Sequence, residues 1–389
     1  MAKNDISIYV HWPFCLSLCP YCDFNSHLLQ NIDYDLWARS YKAEIDFFKE
    51  RITGKYIKSV FFGGGTPSLM PPQLVHSILN NLSSVGSITS NTEITLEANP
   101  TSYEAEKFQN FKHAGINRVS IGIQSLKDEN LKFLGRNHNA SEAIQVVKSA
   151  AEIFDRYSFD LIYALPNQTL QDWQTEVKEA LQLASKHISL YQLTIEKGTP
   201  FYSLHKKKAF QLPSEDLAAD MYEWTNEHLL QHGYNRYEIS NYAHTGQESI
   251  HNLTYWNYEE YIGIGAGAHS RLHNQDNIEA VMMINSPQKW FDGIAKFGNA
   301  IQSRTKLSEH DIVKEYLMMS TRLKTGLNEE NFHAITGKKF TEILDPNNLV
   351  LYQEQGLITL KHNHLILTDK GLMLHNYIIA QLLRKEIFD

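Results

Sequence analysis

Three cysteines within a stretch of eight residues suggest the chemistry of this sequence. They are Cys15, Cys19 and Cys22, in the segment C-L-S-L-C-P-Y-C, and the chain of 389 residues has no others. A C-x3-C-x2-C loop can place three thiolates on three irons of a 4Fe–4S cluster, whereas most such clusters have four cysteine ligands. One iron would then be free to bind a small molecule. The spacing therefore favours a cluster that does chemistry over one that only transfers electrons.

Other interpretations of this loop stay open. Inert, buried thiols are the usual state of scattered cysteines, but these three are clustered. A structural zinc ion usually has four ligands, and His11 or His27 could supply the fourth. A disulfide would leave one thiol unpaired and suits a secreted protein better. The 4Fe–4S cluster is the interpretation that the spacing favours most.

Composition limits the class of protein. The hydrophobic content of 42% and the charged content of 21% are typical of a globular protein. A formal net charge of −8 argues against a nucleic-acid binder, which normally has a basic face. The start of the chain lacks an apolar signal-peptide core, and no segment has the length of a membrane span, so we expect at most peripheral membrane contact. Clustered thiols without an export signal favour a cytoplasmic protein.

Short apolar segments alternate with helical patterns in the first half of the chain. The six candidate strands are residues 6–11, 59–62, 93–98, 118–124, 158–165 and 187–194. A repeated strand–helix unit predicts parallel strands with right-handed crossovers. Six units suit a partial (β/α)6 TIM-like barrel better than a closed barrel of eight. Between the strands we predict one helix over 101–113 and another that begins after Ser141 as N-cap.

The predicted barrel has polar side chains near the carboxyl ends of its strands. Glu97, Gln124 and Asp160 each lie on the strand face opposite to the apolar residues. Barrel active sites are built at the carboxyl ends of strands. We therefore expect a polar ligand to bind inside the barrel at this end.

The pattern changes after residue 200, and we place a domain boundary near residue 305. Residues 1–305 would form the barrel domain with an extension, and residues 306–389 a small α+β domain. A helix at 309–323, a hairpin of 357–360 with 365–367 and a final helix from 370 to about 384 predict a winged-helix-like unit. We predict no DNA-binding role, because basic residues are not concentrated there.

Motifs in order along the chain resemble those of the radical S-adenosylmethionine (SAM) superfamily. After the cysteine loop come F-F-G-G-G-T-P from Phe61, E-A-N-P from Glu97, G-I-Q-S at the end of the fourth strand, D-L-I-Y-A-L-P-N-Q-T from Asp160 and R-Y-E-I-S-N-Y-A from Arg236. Together they are similar to the branch that contains oxygen-independent coproporphyrinogen III oxidase and the haem chaperone HemW. The resemblance covers nearly the whole chain.

This resemblance implies a 4Fe–4S cluster on Cys15, Cys19 and Cys22, with SAM chelating the open iron through its amino and carboxylate groups. Reductive cleavage of SAM would give methionine and a 5′-deoxyadenosyl radical. The positions that match the family's SAM contacts are Tyr9, Tyr21, Gly64, Gly65, Thr66, Glu97, Gln124, Arg136 and Asp160.

Elementary chemistry suggests a role for each of these residue types. Gly64 and Gly65 would let the backbone approach the methionine end of SAM, since they have no Cβ. Thr66 offers a hydroxyl, and Arg136 offers a planar fork for a carboxylate. The two carboxyl groups and the amide of the set could hydrogen-bond the amino group and the ribose hydroxyls. Taken singly, each residue is more easily explained as a structural polar group; their shared face and order favour a binding site.

Two features separate the candidates within this branch. The oxidase pattern has a further cysteine two positions after the third, where this chain has Phe24. The segment H-N-L-T-Y-W is similar to the haem-binding signature of HemW, which implies His251 as an axial haem ligand with Tyr255 and Trp256 beside the porphyrin. The alternative for His251 is a hydrogen-bonded structural histidine in an aromatic cluster.

The resemblance implies a haem chaperone that binds haem, a 4Fe–4S cluster and SAM. It would deliver haem to respiratory haemoproteins, and the haem-binding segment would belong to the extension of the larger domain. The alternative is an oxidative decarboxylase of coproporphyrinogen III, which Phe24 argues against. Catalysis of any reaction and formation of a homodimer are left open.

Overall fold

The computed structural model describes residues 4–29, 31–275 and 277–384, and seventeen strands occur in this part of the chain. In chain order they are β1 (Asp5–Trp12), β2 (Phe14–Cys15), β3 (His27–Leu28), β4 (Tyr56–Gly64), β5 (Glu93–Ala98), β6 (Arg118–Gln124), β7 (Arg156–Tyr163), β8 (His187–Gln192), β9 (Asn235–Arg236), β10 (Asn241–Ala243), β11 (Tyr261–Ile264), β12 (His269–His273), β13 (Ile278–Met283), β14 (Ile301–Lys306), β15 (Leu327–Asn328), β16 (Ile358–Lys361) and β17 (His364–Leu367).

Eighteen α-helices connect or cover the strands in the same described ranges. They are α1 (Tyr34–Phe47), α2 (Lys49–Ile52), α3 (Pro72–Ser83), α4 (Ser102–Ala105), α5 (Phe108–Ala114), α6 (Asp128–Phe133), α7 (Ala140–Ile153), α8 (Leu170–Leu181), α9 (Pro200–Lys206), α10 (Glu215–Gln231), α11 (Ile250–Trp256), α12 (Pro287–Phe297), α13 (Glu309–Ser320), α14 (Glu329–Thr336), α15 (Phe340–Ile343), α16 (Pro346–Glu354), α17 (Asp369–Met373) and α18 (His375–Leu382). None of these helices has the length and apolar character that crossing a membrane requires.

Six parallel strands form an open barrel. β1 and β4 to β8 are neighbours in chain order, and every pair among them is parallel. Each crossover between them contains one or two of the helices α1 to α8. The edge strands of the sheet, β9 and β14, do not pair with each other in the described residues, so the barrel stays open. The prediction of an α/β fold with a partial TIM-like barrel is confirmed.

Residues after 200 extend this sheet at both edges, to twelve strands in all. At one edge β10 pairs antiparallel with β8, and β9 follows it. At the other edge β11 lies parallel to β1, and β12, β13 and β14 continue antiparallel. The extension therefore belongs to the same sheet as the barrel.

The two faces of the parallel strands have different surroundings. Ile8, Val60 and Leu96 are fully buried, in one hydrophobic core with helix residues such as Ile78 of α3. Burying an aliphatic side chain of this size contributes roughly 1.5–3 kcal/mol, so this outer face fixes the register of the strands. The inner face is thereby left to polar groups at the carboxyl ends of the strands.

A small α+β unit follows the sheet. β15, β17 and β16 form an antiparallel sheet of three strands, and β16 with β17 is the predicted hairpin. Leu317, Phe332 and Ile378 are buried in a second core made by its helices. The winged-helix-like architecture is confirmed, but the final helix is two helices, α17 and α18, separated at Leu374. The domain boundary near residue 305 stays a prediction; β14 ends at Lys306.

Capping residues decide where two predicted helices begin and end. The N-cap of α7 is Asn139, whose side chain forms a capping box with Glu142, so the assignment of Ser141 as N-cap is wrong. Reciprocal hydrogen bonds from Asn139 and Glu142 satisfy two backbone N–H groups that Ser141 could not reach. The helix predicted over 101–113 is split into α4 and α5, and Gly115 ends α5 in the left-handed conformation at φ +116°.

The capping box predicts the effect of two neighbouring substitutions on stability. Asn139→Ala should lower the free energy of unfolding by about 1 kcal/mol, because the Glu142 backbone N–H loses its acceptor. Ser141→Ala, at an exposed position in the first turn of the same helix, should change it by less than about 0.5 kcal/mol. Urea unfolding midpoints of the two variants measure the difference. Equal midpoints would show that the box contributes nothing.

Candidate cofactor site

A cavity of about 430 Å³ opens at the carboxyl ends of the parallel strands. The cysteine loop, the segment after β4 and the ends of β5 to β8 line it. The predicted site residues that it brings together are Cys15, Cys19, Tyr21, Cys22, Gly64, Gly65, Thr66, Glu97, Gln124, Arg136 and Asp160. Tyr9 and His251 do not line this cavity. The structure thus gathers all but two of the predicted residues at one place.

The three cysteines are free, partly exposed thiols on the loop that follows β1. In residues 4–29, 31–275 and 277–384, no three His, Cys, Asp or Glu side chains are grouped so that they could hold one metal ion. A zinc site would need such a group, because each Zn–S bond is about 2.3 Å long. His11, one candidate for the fourth zinc ligand, has both ring nitrogens engaged, Nδ1 with the Tyr9 hydroxyl and Nε2 with the Asn25 carbonyl, each at 3.0 Å. The three thiols instead line one end of a single cavity, which suits a larger cluster.

Two side chains donate hydrogen bonds to the cysteine sulfurs. The Thr66 hydroxyl lies 3.6 Å from Cys15 Sγ, and the Arg136 guanidinium lies 3.2 Å from Cys19 Sγ. Arg136 also donates to Asn99 Oδ1 at 2.7 Å and to the Gly122 carbonyl at 2.9 Å. A planar guanidinium with several donors can hold these groups at once. Arg136 therefore connects the cysteine loop to the ends of β5 and β6.

The glycine segment after β4 packs directly against the cysteine loop. A Cβ on Gly65 would lie 2.6 Å from the Phe14 carbonyl oxygen, and one on Gly64 would lie 2.8 Å from the Trp12 carbonyl oxygen. The Gly65 N–H donates to the Trp12 carbonyl at 2.7 Å. The sequence analysis assigned these glycines to the approach of a ligand. The structure gives a second reason, since two chain segments meet here with no space for a side chain.

Two carboxyl groups lie together at the floor of the cavity. Burial and, to a lesser extent, the nearby charge of Asp160 raise the pKa of Glu97 to about 8, against a hydrogen bond from the Gly64 N–H at 3.2 Å. Burial raises the pKa of Asp160 to about 6, against a hydrogen bond from Ser189 and the charge of Arg118. Burial thus favours the protonated form of both groups, and that of Glu97 more strongly. A protonated carboxyl group can both donate and accept hydrogen bonds, which suits the hydroxyls of a sugar.

Gln124, at the end of β6, has an unusual backbone conformation. Its φ of +75° lies in the left-handed region, where a residue with a Cβ is strained by roughly 1–3 kcal/mol. The β6–β7 register shifts at this residue. Its side chain lies over Gly122, where a Cβ would be 2.9 Å from Gln124 Nε2. This backbone conformation places the Gln124 side chain among the residues that line the cavity.

Sequence analysis missed two polar residues of this site. Asn99 donates to Thr66 Oγ1 at 3.0 Å and accepts from Arg136, although it belongs to the E-A-N-P motif that could have indicated it. Arg118 is buried below the two carboxyl groups and donates to Ser158 Oγ at 2.8 Å. No local pattern indicates Arg118, because only the parallel pairing of β6 with β7 brings its partner close.

The H-N-L-T-Y-W segment forms α11, which covers the opposite end of the barrel. The His251 N–H donates to Glu93 Oε1 at 3.1 Å, and Thr254 Oγ1 lies 2.8 Å from Ser7 Oγ. Ser7, Ser59 and Glu93 lie in the amino-terminal halves of β1, β4 and β5. α11 therefore lies far from the cysteine loop along the strands.

His251 is only 1% exposed, and both of its ring nitrogens are occupied. Nδ1 is 2.8 Å from Ser59 Oγ, Nε2 is 2.8 Å from the Tyr255 hydroxyl, and the ring stacks on Phe61 at 5.0 Å. Burial lowers the pKa of His251 to about 3, so the imidazole is neutral. This geometry matches the structural-histidine alternative. An axial bond from His251 to haem iron would require α11 to move.

Tyr9 and Tyr21 take different positions. Tyr21 lines the cavity and packs on Phe201, with ring centroids 6.3 Å apart. Tyr9 packs beside the stacked rings of Phe61 and His251 inside the barrel, and its hydroxyl bonds to His11. A ligand in the cavity would therefore contact Tyr21 but not Tyr9 in this structure.

Known proteins are similar to this chain along nearly its whole length. The family model described as the radical SAM superfamily matches residues 9–180, and the HemN C-terminal domain matches residues 307–374. A Heme chaperone HemW of Bacillus subtilis is 32% identical, over 97% of this chain and 99% of its own. The chain belongs to the HemW family of radical SAM proteins. A mitochondrial radical S-adenosyl methionine domain-containing protein 1 of Bos taurus is 35% identical, over 97% of this chain and 87% of its own.

A solved structure matches the fold of this HemW-family chain. Coproporphyrinogen III oxidase (HemN) from Escherichia coli aligns with a TM-score of 0.82, over 97% of this chain and 90% of its own. Its sequence identity is 22%, so this likeness concerns the fold alone. Barrel, sheet extension and small C-terminal unit are thus shared between the two proteins.

Membership of the radical SAM family implies a 4Fe–4S cluster and SAM, and the residues of the cavity fit both. Three thiols surround one end, and the volume of about 430 Å³ is in the range of small-molecule sites. Arg136 Nε, Thr101 Oγ1 and Glu104 Oε1 are buried with no hydrogen-bond partner in the described residues, which leaves them for a ligand. When bound, cluster and SAM together supply reductive cleavage of SAM to methionine and a 5′-deoxyadenosyl radical.

The cysteine assignment predicts a loss of iron and sulfide. Single substitutions of Cys15, Cys19 or Cys22 by Ala should abolish most of the iron, the acid-labile sulfide and the visible absorbance after anaerobic reconstitution, because two thiolates cannot hold the cluster. Ser17→Ala changes the same loop, where Ser17 Oγ only accepts from Asn137, and should retain all three. Wild-type protein that contains stoichiometric zinc and no sulfide would contradict the assignment.

Proposed function

We propose that this HemW-family protein is a haem chaperone that binds haem, a 4Fe–4S cluster and SAM and delivers haem to respiratory haemoproteins. The observation that carries the proposal is similarity along the full length to proteins named Heme chaperone HemW, which are 32–36% identical. The proposal includes a cytoplasmic location and no nucleic-acid partner, with the net charge of −8 as support for the latter. Membrane contact would be peripheral, and a homodimer is left open.

Apolar side chains are exposed at the mouth of the cavity, at the end of the barrel opposite to His251. Phe24 is 61% exposed, and Leu16 and Leu18 are 54% and 52% exposed. All three line the cavity beside the cysteines. Exposed apolar groups that cluster at an opening are typical of interaction sites. Phe24 also replaces the cysteine that the oxidase pattern has at this position, which favours haem transport over decarboxylation.

His251 is the proposed axial ligand, and the proposal requires α11 to leave the end of the barrel. Support comes from the neutral state of its imidazole, which is the form that binds iron. The C-terminal unit contacts the end of this helix: Ser320 Oγ donates to the Trp256 carbonyl at 2.7 Å, and the Arg322 guanidinium lies 4.5 Å from the centroid of the Trp256 ring. Movement of the C-terminal unit would remove these two contacts, and release of the histidine would also require its bonds to Ser59 and Glu93 in the barrel to break.

Haem titration of two variants tests this role. His251→Ala should lose most of the haem affinity and the Soret shift of wild type. Tyr255→Phe should raise the apparent haem affinity roughly fivefold or more, because it leaves His251 Nε2 unpaired in the buried state at a cost of about 1–3 kcal/mol and so favours release. Phe retains the aromatic ring that would pack beside the porphyrin.

The same two variants also distinguish a structural histidine from a ligand. If His251 is only structural, both substitutions should lower the free energy of unfolding and leave haem affinity unchanged. Ser59→Ala removes the partner of the other ring nitrogen, Nδ1, and serves as an independent second variant. Haem binding by His251→Ala at wild-type affinity would refute the axial assignment without affecting the cluster or SAM.

Decarboxylation of coproporphyrinogen III is the alternative activity, and it can be measured in parallel. With a reduced cluster, SAM and this substrate, we expect neither substrate-dependent 5′-deoxyadenosine nor carbon dioxide, since the chain has Phe24 in place of the oxidase cysteine. Phe24→Cys serves as the matched variant for the effect of that position. Wild-type production of both compounds would replace the carrier proposal with the oxidase.

A further inference from the structure

We propose that Glu104 and Thr101 bind the amino group at the methionine end of SAM. This inference rests on the SAM site described above. Neither residue belongs to the motifs that indicated the site in the sequence. Both line the cavity. Their side chains supply two hydrogen-bond acceptors for a ligand that ends in an N–H donor group.

Glu104 has one carboxylate oxygen with partners and one without. Oε2 accepts hydrogen bonds from the Ser68 hydroxyl and, at 2.7 Å, from the Asn99 N–H. The whole residue is 0% exposed, and its buried Oε1 has no hydrogen-bond partner in the described residues. Leaving a buried carboxylate oxygen unpaired is unfavourable, and water or a ligand normally satisfies it. A donor from a ligand in the cavity would complete this group.

Thr101 adds a second buried acceptor without a partner in the described residues, because the capping box that its sequence predicts does not form. The segment T-S-Y-E from Thr101 has the pattern of a capping box, in which Thr and Glu would satisfy the first N–H groups of a helix. In the structure the Thr101 side chain makes no capping bond, and its Oγ1 is buried without a partner in the described ranges. Glu104 instead reaches Ser68 and Asn99. Both side chains are thus diverted from the helix α4 to the cavity wall.

A chain of hydrogen bonds places these acceptors near the cluster end of the cavity. Asn99 donates its backbone N–H to Glu104 and its side-chain amide to Thr66 Oγ1 at 3.0 Å. Thr66 Oγ1 lies 3.6 Å from Cys15 Sγ. The same Asn99 accepts from Arg136, whose free Nε suits the SAM carboxylate. One asparagine therefore lies between the guanidinium of Arg136, which suits the SAM carboxylate, and the carboxyl group of Glu104, which suits the amine.

Glu176 provides a matched control within the same chain. Its Oε1 accepts from the Ser125 hydroxyl and the Leu126 N–H, and its Oε2 is buried without a partner in the described residues. Burial raises the pKa of both Glu176 and Glu104. Glu176 does not line the cavity. Substitution of Glu176 thus shows how much the loss of such a buried carboxylate alters ligand binding when no ligand contact is lost.

Binding measurements on the cluster-reconstituted full-length protein test the inference. Calorimetric titration would use SAM, L-methionine and 5′-deoxyadenosine as separate ligands. Glu104→Gln should weaken binding of SAM and L-methionine about tenfold to hundredfold, the range for a hydrogen bond to a charged group, and leave 5′-deoxyadenosine unchanged. Thr101→Val should weaken the first two by about two- to tenfold. Glu176→Gln should alter none of the three.

The ligand fragments separate a direct contact from a structural effect. If Glu104→Gln weakens 5′-deoxyadenosine as much as SAM, or alters SAM binding no more than Glu176→Gln does, the inference is wrong. If Glu104→Gln does not fold, Thr101→Val decides, because the Thr101 hydroxyl has no partner among the described residues whose loss could unfold the protein. Wild-type protein that binds no SAM would instead overturn the SAM site itself.

Discussion

The close packing of two backbone segments is the constraint on which the site depends. The cysteine loop after β1 and the glycine segment after β4 are so close that neither Gly64 nor Gly65 could have a Cβ without a collision with the backbone of Trp12 or Phe14. This contact holds the loop over the carboxyl ends of the strands and brings Thr66 to Cys15. The cavity, the sulfur environment and the position of Arg136 all follow from it.

The barrel uses its two ends differently. At the carboxyl end, Glu97, Asp160 and their neighbours line an open cavity, whereas at the amino end α11 fills the interior with hydrogen-bonded polar groups. Arg118 is buried between the two and contributes positive charge below the carboxyl pair. Polar residues on the inner face of the strands are therefore of two kinds, those that a ligand can reach and those that hold the fold.

The buried state of His251 gives the proposed carrier a closed form. In this form the histidine is neutral, bonded at both nitrogens and covered by a helix that the C-terminal unit contacts through Ser320 and Arg322. Haem binding at this position would need to offset the loss of those contacts. The fold thus separates the cysteine cavity at one end of the barrel from the H-N-L-T-Y-W segment at the other.

Local sequence patterns determined the parallel strands, the hairpin and the cluster loop, because alternation of side chains and cysteine spacing act within a few residues of each other. The motifs also identified most of the residues around the cavity. Tertiary structure alone decided the roles of Arg118, Asn99 and Glu104, whose partners lie on other strands or loops. It also decided the burial of His251: the H-N-L-T-Y-W segment contains the ligand type, and Tyr255 of the same helix pairs with Nε2, but only packing of α11 on β4 gives Nδ1 its partner Ser59.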